Sequence, residues 1–338
     1  MKSLDVRFTE PRTVALQESQ VPEPAAGQVR CRALTSLIST GTESFCLEGN
    51  FDPGTFWQEW VQYPFAPGYS MTSVVVDVGS GVAGLHVGDR VATTTPHSSA
   101  FLVDASECVV VPDSVSNEQA SWTSLACTTQ LGVRRAQLQL GESAAVVGLG
   151  ALGQLAVQYL RLCGARRIIA IDQADSRLQL AQGGGATDLV AEDVLTATET
   201  LKHITLGAMV DVAFEITGHP KVLAPTTQLV RQLGRVVLLG DTPIPSSQTL
   251  GPRVVADSVS ILGVHASSAP EVASANDPWT LRAMTELYFD FVSTKRMNVD
   301  SLITHRFTPD QAVEVYESLR VDRSGFLGVL LDWTAVGG

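Results

Sequence analysis

The sequence predicts an α/β protein in which a β-rich domain precedes a doubly wound parallel sheet, and a short C-terminal segment returns to the first domain. Three observations carry that expectation. Up to residue 116, short apolar runs are cut by turn residues in the style of an antiparallel domain. From Asn117 onward, strand-like and helix-like patterns alternate, and repeated βα units build a parallel sheet with helices on both faces. The length of 338 residues, 45% of them hydrophobic, exceeds what one typical domain needs for its core. The expected limits are 1–116, 117–275 and 276–338.

In the first domain, strands are expected at Asp5–Phe8, Gln28–Leu34, Ser73–Val78, Arg90–Thr94 and Cys108–Val111. The run Val82 to Val91 places Gly88-Asp89 between apolar stretches, a hairpin-like signal. Glu118–Leu138 reads as a helix. The alternation then runs through strand Ala144–Val147, helix Leu152–Cys163, strand Ile168–Ile171, helix Arg177–Gln182 and strand Val210–Glu215. Helix Leu223–Leu233 and strands Arg235–Leu239 and Ser258–Gly263 complete it. Two last helices, Trp279–Thr294 and Pro309–Leu319, separate strands Leu302–Phe307 and Phe326–Leu331, which would cover the open face of the β-rich domain.

The strand Ala144–Val147 runs directly into Gly148-Leu149-Gly150-Ala151-Leu152-Gly153 and a helix. That Gly-x-Gly-x-x-Gly placement is the dinucleotide fingerprint of a Rossmann unit. Gly148 permits the tight turn, Gly150 lets the backbone approach a pyrophosphate, and Gly153 packs the helix on the strand. Ala151 and Leu152 open the helix whose N-terminus faces the phosphates. Asp172 ends the next apolar run, where a carboxylate binds ribose hydroxyls and repels a 2′-phosphate, so NAD is the expected cofactor. Gln173 and Arg177 lie near the same ribose, and an arginine there is the feature that accommodates NADP. Thr217, after the strand Asp211–Glu215, and Gly240-Asp241, after the following strand, are expected to line the nicotinamide.

The β-rich start, Gly88-Asp89-Arg90-Val91, the helix leading into Cys127, the late fingerprint with Asp172 and Gly234-Arg235-Val236-Val237 together resemble the medium-chain dehydrogenase/reductase superfamily. Ile38 to Glu43 and Tyr63 to Tyr69 look like its branch containing bacteriochlorophyllide a dehydrogenase. The resemblance implies a GroES-like catalytic domain, a Rossmann cofactor domain and oxidoreductase chemistry. Zinc members carry Cys-Gly-Thr-Asp and Gly-His-Glu motifs, whereas here Thr40, Tyr69 and Ser70 stand at the ligand positions and only Cys127 matches a third. One thiolate cannot hold a catalytic zinc, so a metal-free enzyme is expected, and the cysteines of the structural zinc lobe are missing between Pro96 and Glu107.

Without zinc, a side chain must manage the substrate proton. Tyr69 either bonds the substrate oxygen, serving as a base if its surroundings lower its pKa, or simply fills the vacated cavity. Thr42 matches the relay hydroxyl of zinc relatives, or caps a turn. His97 is a possible shuttle in a predicted loop, and Glu43 a residue that orients the cavity. The aromatic stretch Phe51 to Trp60 suits a bulky or ring-shaped substrate, or is a satellite core.

The expected reaction interconverts a secondary alcohol and a ketone on a sugar-like, cyclitol or polycyclic secondary metabolite. A zinc-free quinone or enoyl reductase and a catalytically silent NAD-binding protein are the rivals. A formal net charge of −12 disfavours a nucleic-acid partner. No apolar run reaches the roughly 18 residues of a membrane helix, and the N-terminus lacks a secretory pattern, so a cytoplasmic location is expected. The cysteines at 31, 46, 108, 127 and 163 are scattered and should be reduced thiols. A homodimer formed through Ser258–Val264 is expected.

Overall fold

The computed structural model describes residues 1–336, and its strands follow the period-two burial that the sequence sets. Strands β1 (Lys2–Glu10) and β2 (Thr13–Gln20) pair antiparallel as a separate ribbon. Strand β3 (Gln28–Ile38) buries Val29, Cys31 and Ala33 on one face and is buried on both faces from Thr35 onward. It is central because it pairs with several neighbours. Helices α1 (Thr42–Glu48) and α2 (Phe56–Trp60) follow, then β4 (Met71–Val78), β5 (Arg90–Thr93), β6 (Ala100–Asp104) and β7 (Val109–Val110). The Gly88-Asp89 turn does connect β4 to β5, but Val82–Val87 form no strand, so the hairpin has a long connection.

The helix expected over Glu118–Leu138 is broken into α3 (Asn117–Ala120) and α4 (Thr123–Arg135). Its first part is fastened to the β-rich unit: the Thr72 hydroxyl donates to the Asn117 carbonyl and the Ser70 hydroxyl to the Ser121 carbonyl. The unit boundary therefore falls at Leu125/Ala126 rather than at residue 116, and residues 50–55 group with the second unit.

The second unit, Asn50–Thr55 with Ala126–Pro278, holds β8 (Ser143–Val147), α5 (Ala151–Leu162), β9 (Arg167–Ile171), α6 (Asp175–Gly184), β10 (Asp188–Val190) and α7 (Ala197–Ile204). It continues with β11 (Val210–Glu215), α8 (Leu223–Thr226), β12 (Val230–Leu238) and β13 (Ser260–Gly263). The strands are all parallel in the order β10-β9-β8-β11-β12-β13. The sheet order reverses between β8 and β11, the switch point where doubly wound folds bind nucleotides. Helix α8 is short where a helix to Leu233 was expected, because Val230 already pairs with Val210 and an exposed Leu233 at φ 61° bends β12.

The chain ends in the first unit with α9 (Leu281–Ser293), β14 (Ile303–Phe307), α10 (Ala312–Val321) and β15 (Gly328–Asp332). Strand β15 pairs antiparallel with β3, placing Val329 opposite Ile38, and β14 adds parallel to it. Helix α10 turns Tyr316 edge-on to Phe8 at 5.0 Å between centroids.

Candidate nucleotide and catalytic sites

The nucleotide site lies at the carboxyl ends of β8, β9 and β11 in the second unit. Gly148 has φ 90°, and a Cβ there would fall 2.6 Å from Thr217 Cγ2. A Cβ on Gly153 would fall 2.1 Å from the Gly148 carbonyl oxygen, so only glycine lets α5 pack this closely. A Cβ on Gly150 would meet nothing within 4 Å. That open space ahead of the helix amides is what a pyrophosphate requires.

Asp172 Oδ2 accepts the Leu149 N–H at 2.7 Å and Oδ1 accepts the Ala174 N–H at 2.9 Å. Each oxygen keeps a lone pair for a ribose hydroxyl. Gln173 instead turns outward and donates to Asp193 at 3.1 Å. Arg177 is half-buried, and its carbonyl accepts from Gln154 Nε2, which also bonds the Leu149 carbonyl.

Glu215, fully buried at the end of β11, accepts the Thr217 N–H at 2.7 Å and hydroxyl at 2.5 Å. Burial pushes its carboxyl up despite these donors. It holds Thr217 against Gly148, a role with no local sequence signal. Gly240 passes so close to β11's end that its Cβ would lie 2.4 Å from the Gly218 nitrogen, and Asp241 beside it is exposed. The donors, the open cradle and the carboxylate fit a nicotinamide dinucleotide.

The first unit carries a cluster of hydroxyls. Tyr69 OH lies 2.6 Å from Ser39 Oγ and 3.2 Å from Thr42 Oγ1. Tyr69 and Thr42 keep part of their surface exposed, while Ser39 is buried. Burial is the main influence on Tyr69 and outweighs the two hydroxyl contacts, so with the charge of Glu43 its phenol is pushed up to about 12. The expected route to a base, a lowered pKa, is therefore reversed, since no cation offsets the burial.

Behind the cluster lies a buried polar network that braces it. Glu43 and Ser39 clamp each other: the Ser39 N–H donates to Glu43 Oε1 at 2.7 Å, and the Glu43 N–H donates to the Ser39 carbonyl at 2.9 Å. Glu43 Oε2 also accepts the Tyr316 hydroxyl and pairs with His97 Nε2 at 3.1 Å. His97 Nδ1 meets Ser36 Oγ at 2.8 Å, and Trp333 Nε1–H donates to the same oxygen at 2.8 Å. The Glu43 carboxylate only accepts, so Nε2 carries the hydrogen that faces it.

The expected shuttle His97 is thus fully buried with both nitrogens committed, and it acts through Glu43. Gly68, at φ 94°, admits it, because a Cβ there would lie 2.7 Å from the imidazole ring. Ser39, Ser36, Tyr316 and Trp333 were not legible as site residues.

These residues do not fit a catalytic zinc. Tyr69 belongs to the hydroxyl cluster, and Ser70 is spent on the Ser121 carbonyl. The Thr40 carbonyl accepts the Ser44 hydroxyl. Neutral hydroxyls are poor zinc donors beside thiolate, imidazole and carboxylate. Among the described residues, no group of three or more His, Cys, Asp or Glu is placed to hold a metal ion.

A glycine-cradled parallel sheet joined to a β-rich unit defines a dehydrogenase of the alcohol dehydrogenase type. Residues 37–155 match the alcohol dehydrogenase GroES-like domain and residues 151–279 the zinc-binding dehydrogenase family. The (R,R)-butanediol dehydrogenase of Bacillus subtilis (strain 168) is 30% identical over 282 residues, covering 72% of this chain and 77% of that protein. The L-threonine 3-dehydrogenase of Pyrococcus abyssi is 26% identical, covering 92% and 93%. A Sinorhizobium meliloti 1021 structure described as a zinc-binding dehydrogenase bound to NADP superposes with a TM-score of 0.80 at 22% identity, covering 98% and 99%. The chain belongs to the medium-chain dehydrogenase/reductase superfamily.

Proposed function

We propose that this protein is a zinc-independent, NAD-dependent oxidoreductase that interconverts a secondary alcohol and a ketone. The observation that carries the reading is the hydroxyl cluster of Tyr69, Ser39 and Thr42, in which Tyr69 stands where the resemblance expects a ligand histidine. A hydroxyl both donates and accepts, so the cluster can hold the proton of a substrate oxygen without a metal.

Gly148, Gly150, Gly153 and the start of α5 would hold the pyrophosphate, with Ala151 and Leu152 in the first turn. Asp172 would hold the ribose, and its charge favours NAD although the Sinorhizobium neighbour binds NADP. Thr217 and Gly240 would flank the nicotinamide. Bound there, the nucleotide supplies or accepts hydride. The protein's part is to orient the substrate and handle its proton, through Tyr69 with Thr42 as relay.

The relatives' alcohol substrates support the reaction class, butanediol and threonine among them. For the substrate we favour a ring-shaped alcohol of the sugar-like, cyclitol or polycyclic kind. Phe56 and Trp60 stack at 5.8 Å and stay partly exposed, while Trp57 is buried against Phe45. The stretch thus packs through Trp57 and leaves a flat aromatic face for a ring. A cytoplasmic protein of secondary metabolism, with a small-molecule substrate and no nucleic-acid partner, fits this reading.

The deciding experiment couples metal analysis of purified protein to a screen of NAD and NADP turnover over secondary alcohols, sugars and enones. Turnover of an alcohol with NAD and no stoichiometric zinc is expected. Stoichiometric zinc, NADP preference or turnover of enones alone would overturn the reading.

A further inference from the structure

We propose that Ser39, Thr42 and Tyr69 form a proton-donating pocket for a carbonyl oxygen, with Ser39 as the catalytic residue that protonates it when the reaction runs toward the alcohol. This rests on the functional reading above and adds the residue that donates. The argument is a count of donors and acceptors. Three hydroxyls carry three protons, and in both contacts inside the cluster Tyr69 is the donor, to Ser39 Oγ and to Thr42 Oγ1.

The Ser39 and Thr42 protons are therefore not used inside the cluster. Among the described residues no further hydrogen bond takes up the surplus proton of Ser39, so it is available to an incoming acceptor such as a carbonyl oxygen.

The acceptor side of the count points the same way. Glu43 accepts the Ser39 N–H at Oε1 and Tyr316 and His97 at Oε2, and it bonds none of the three hydroxyls. The titratable groups facing Tyr69 are Glu43 and Cys46, both on α1, and both disfavour a phenolate. An arriving alcohol meets a full set of protons and no base, whereas an arriving ketone meets a donor. A bound reduced nucleotide would supply hydride to the carbonyl carbon as the C=O π pair moves to oxygen. That oxygen takes the surplus proton, and water restores it through the half-exposed Thr42.

The test uses the intact protein and one alcohol–ketone pair that it turns over. For the parent, kcat/KM for reduction should be flat between about pH 6 and 9, while that for oxidation should rise about tenfold per pH unit without a plateau. Ser39→Ala should lower kcat for reduction at least ~30-fold with the KM for nucleotide unchanged. It should also move the near-ultraviolet phenolate titration of Tyr69, identified by its loss in Tyr69→Phe, to higher pH, because it removes a hydroxyl donor. That shift reports the Ser39–Tyr69 contact, and the loss of kcat reports the catalytic role.

An oxidation profile that levels off below about pH 8 reveals a base and overturns the inference while leaving the functional reading intact. So does Ser39→Ala with parental turnover, whether or not the titration moves. Nucleotide binding without turnover of any pair overturns both.

Discussion

Glu43→Ala should unfold the first unit selectively. Glu43 is fully buried and accepts from three donors, the Ser39 N–H, the His97 Nε2–H and the Tyr316 hydroxyl, which are themselves buried. Each buried donor left without an acceptor costs about 1–3 kcal/mol, and Glu43→Ala strands three of them. Water entering the vacated space would recover part of this, so the expected loss is about 3–5 kcal/mol. Glu43→Gln keeps the shape, but its amide nitrogen must face either Ser39 or the Tyr316–His97 pair, leaving at least one donor opposed at about 1–3 kcal/mol. All five tryptophans, at 57, 60, 122, 279 and 333, lie in the first unit. Denaturant unfolding followed by tryptophan fluorescence therefore reads that unit, while NAD titration checks the other. The network argument fails if Glu43→Ala unfolds within about 0.5 kcal/mol of the parent, a shift expected of an ordinary surface substitution, or if Glu43→Gln is as damaging as Glu43→Ala.

Asp172→Ser should weaken NAD binding and improve the relative use of NADP, since it removes the ribose acceptor and a repulsive charge together; unchanged nucleotide preference in competitive binding would refute that assignment. Asp211 is pulled up by burial, but the Ser143 N–H and hydroxyl and Arg231 outweigh this and hold its carboxyl below the ordinary range. Its contribution is therefore present above the unfolded carboxyl pKa and lost as pH falls through the folded one. Asp211→Asn should cost about 1 kcal/mol at neutral pH, and the gap to the parent should close toward about pH 3 when thermal unfolding is followed by circular dichroism. Strand β13 is an edge strand bonded only to β12, and pairing of two copies there should give a dimer by light scattering. A monomer at micromolar concentration would remove that expectation.

Much of the fold was legible because its signals are local. The βα alternation from Ala144 to Gln182 appears where periodicity and glycine punctuation place it, and β11 spans Val210–Glu215 as read, while the short β10 between them was not read. Strand β2, with much of its surface exposed, shows no clean apolar alternation and was missed. Helix α7, with only Ala197 and Leu201 buried, was missed for the same reason. The break between α3 and α4 depends on Ser70 and Thr72 reaching across from another strand, and no window along the chain contains both partners.

The two sites differ in legibility for the same physical reason. The nucleotide cradle is built by consecutive residues, with glycines whose missing Cβ atoms are required by neighbours only a few positions away, as Gly153 is by Gly148. The hydroxyl cluster is assembled from Ser39, Thr42 and Tyr69 and braced by Tyr316 and Trp333, which arrive from the far end of the chain through α10 and the turn after β15. Comparison of motifs identified Tyr69 and Thr42 because each stands where zinc relatives carry a functional group. It was silent on Ser39, which replaces nothing. A lost ligand set shows which positions changed, whereas the proton count of the cluster emerges only when the contacting hydroxyls and the buried Glu43 are seen together.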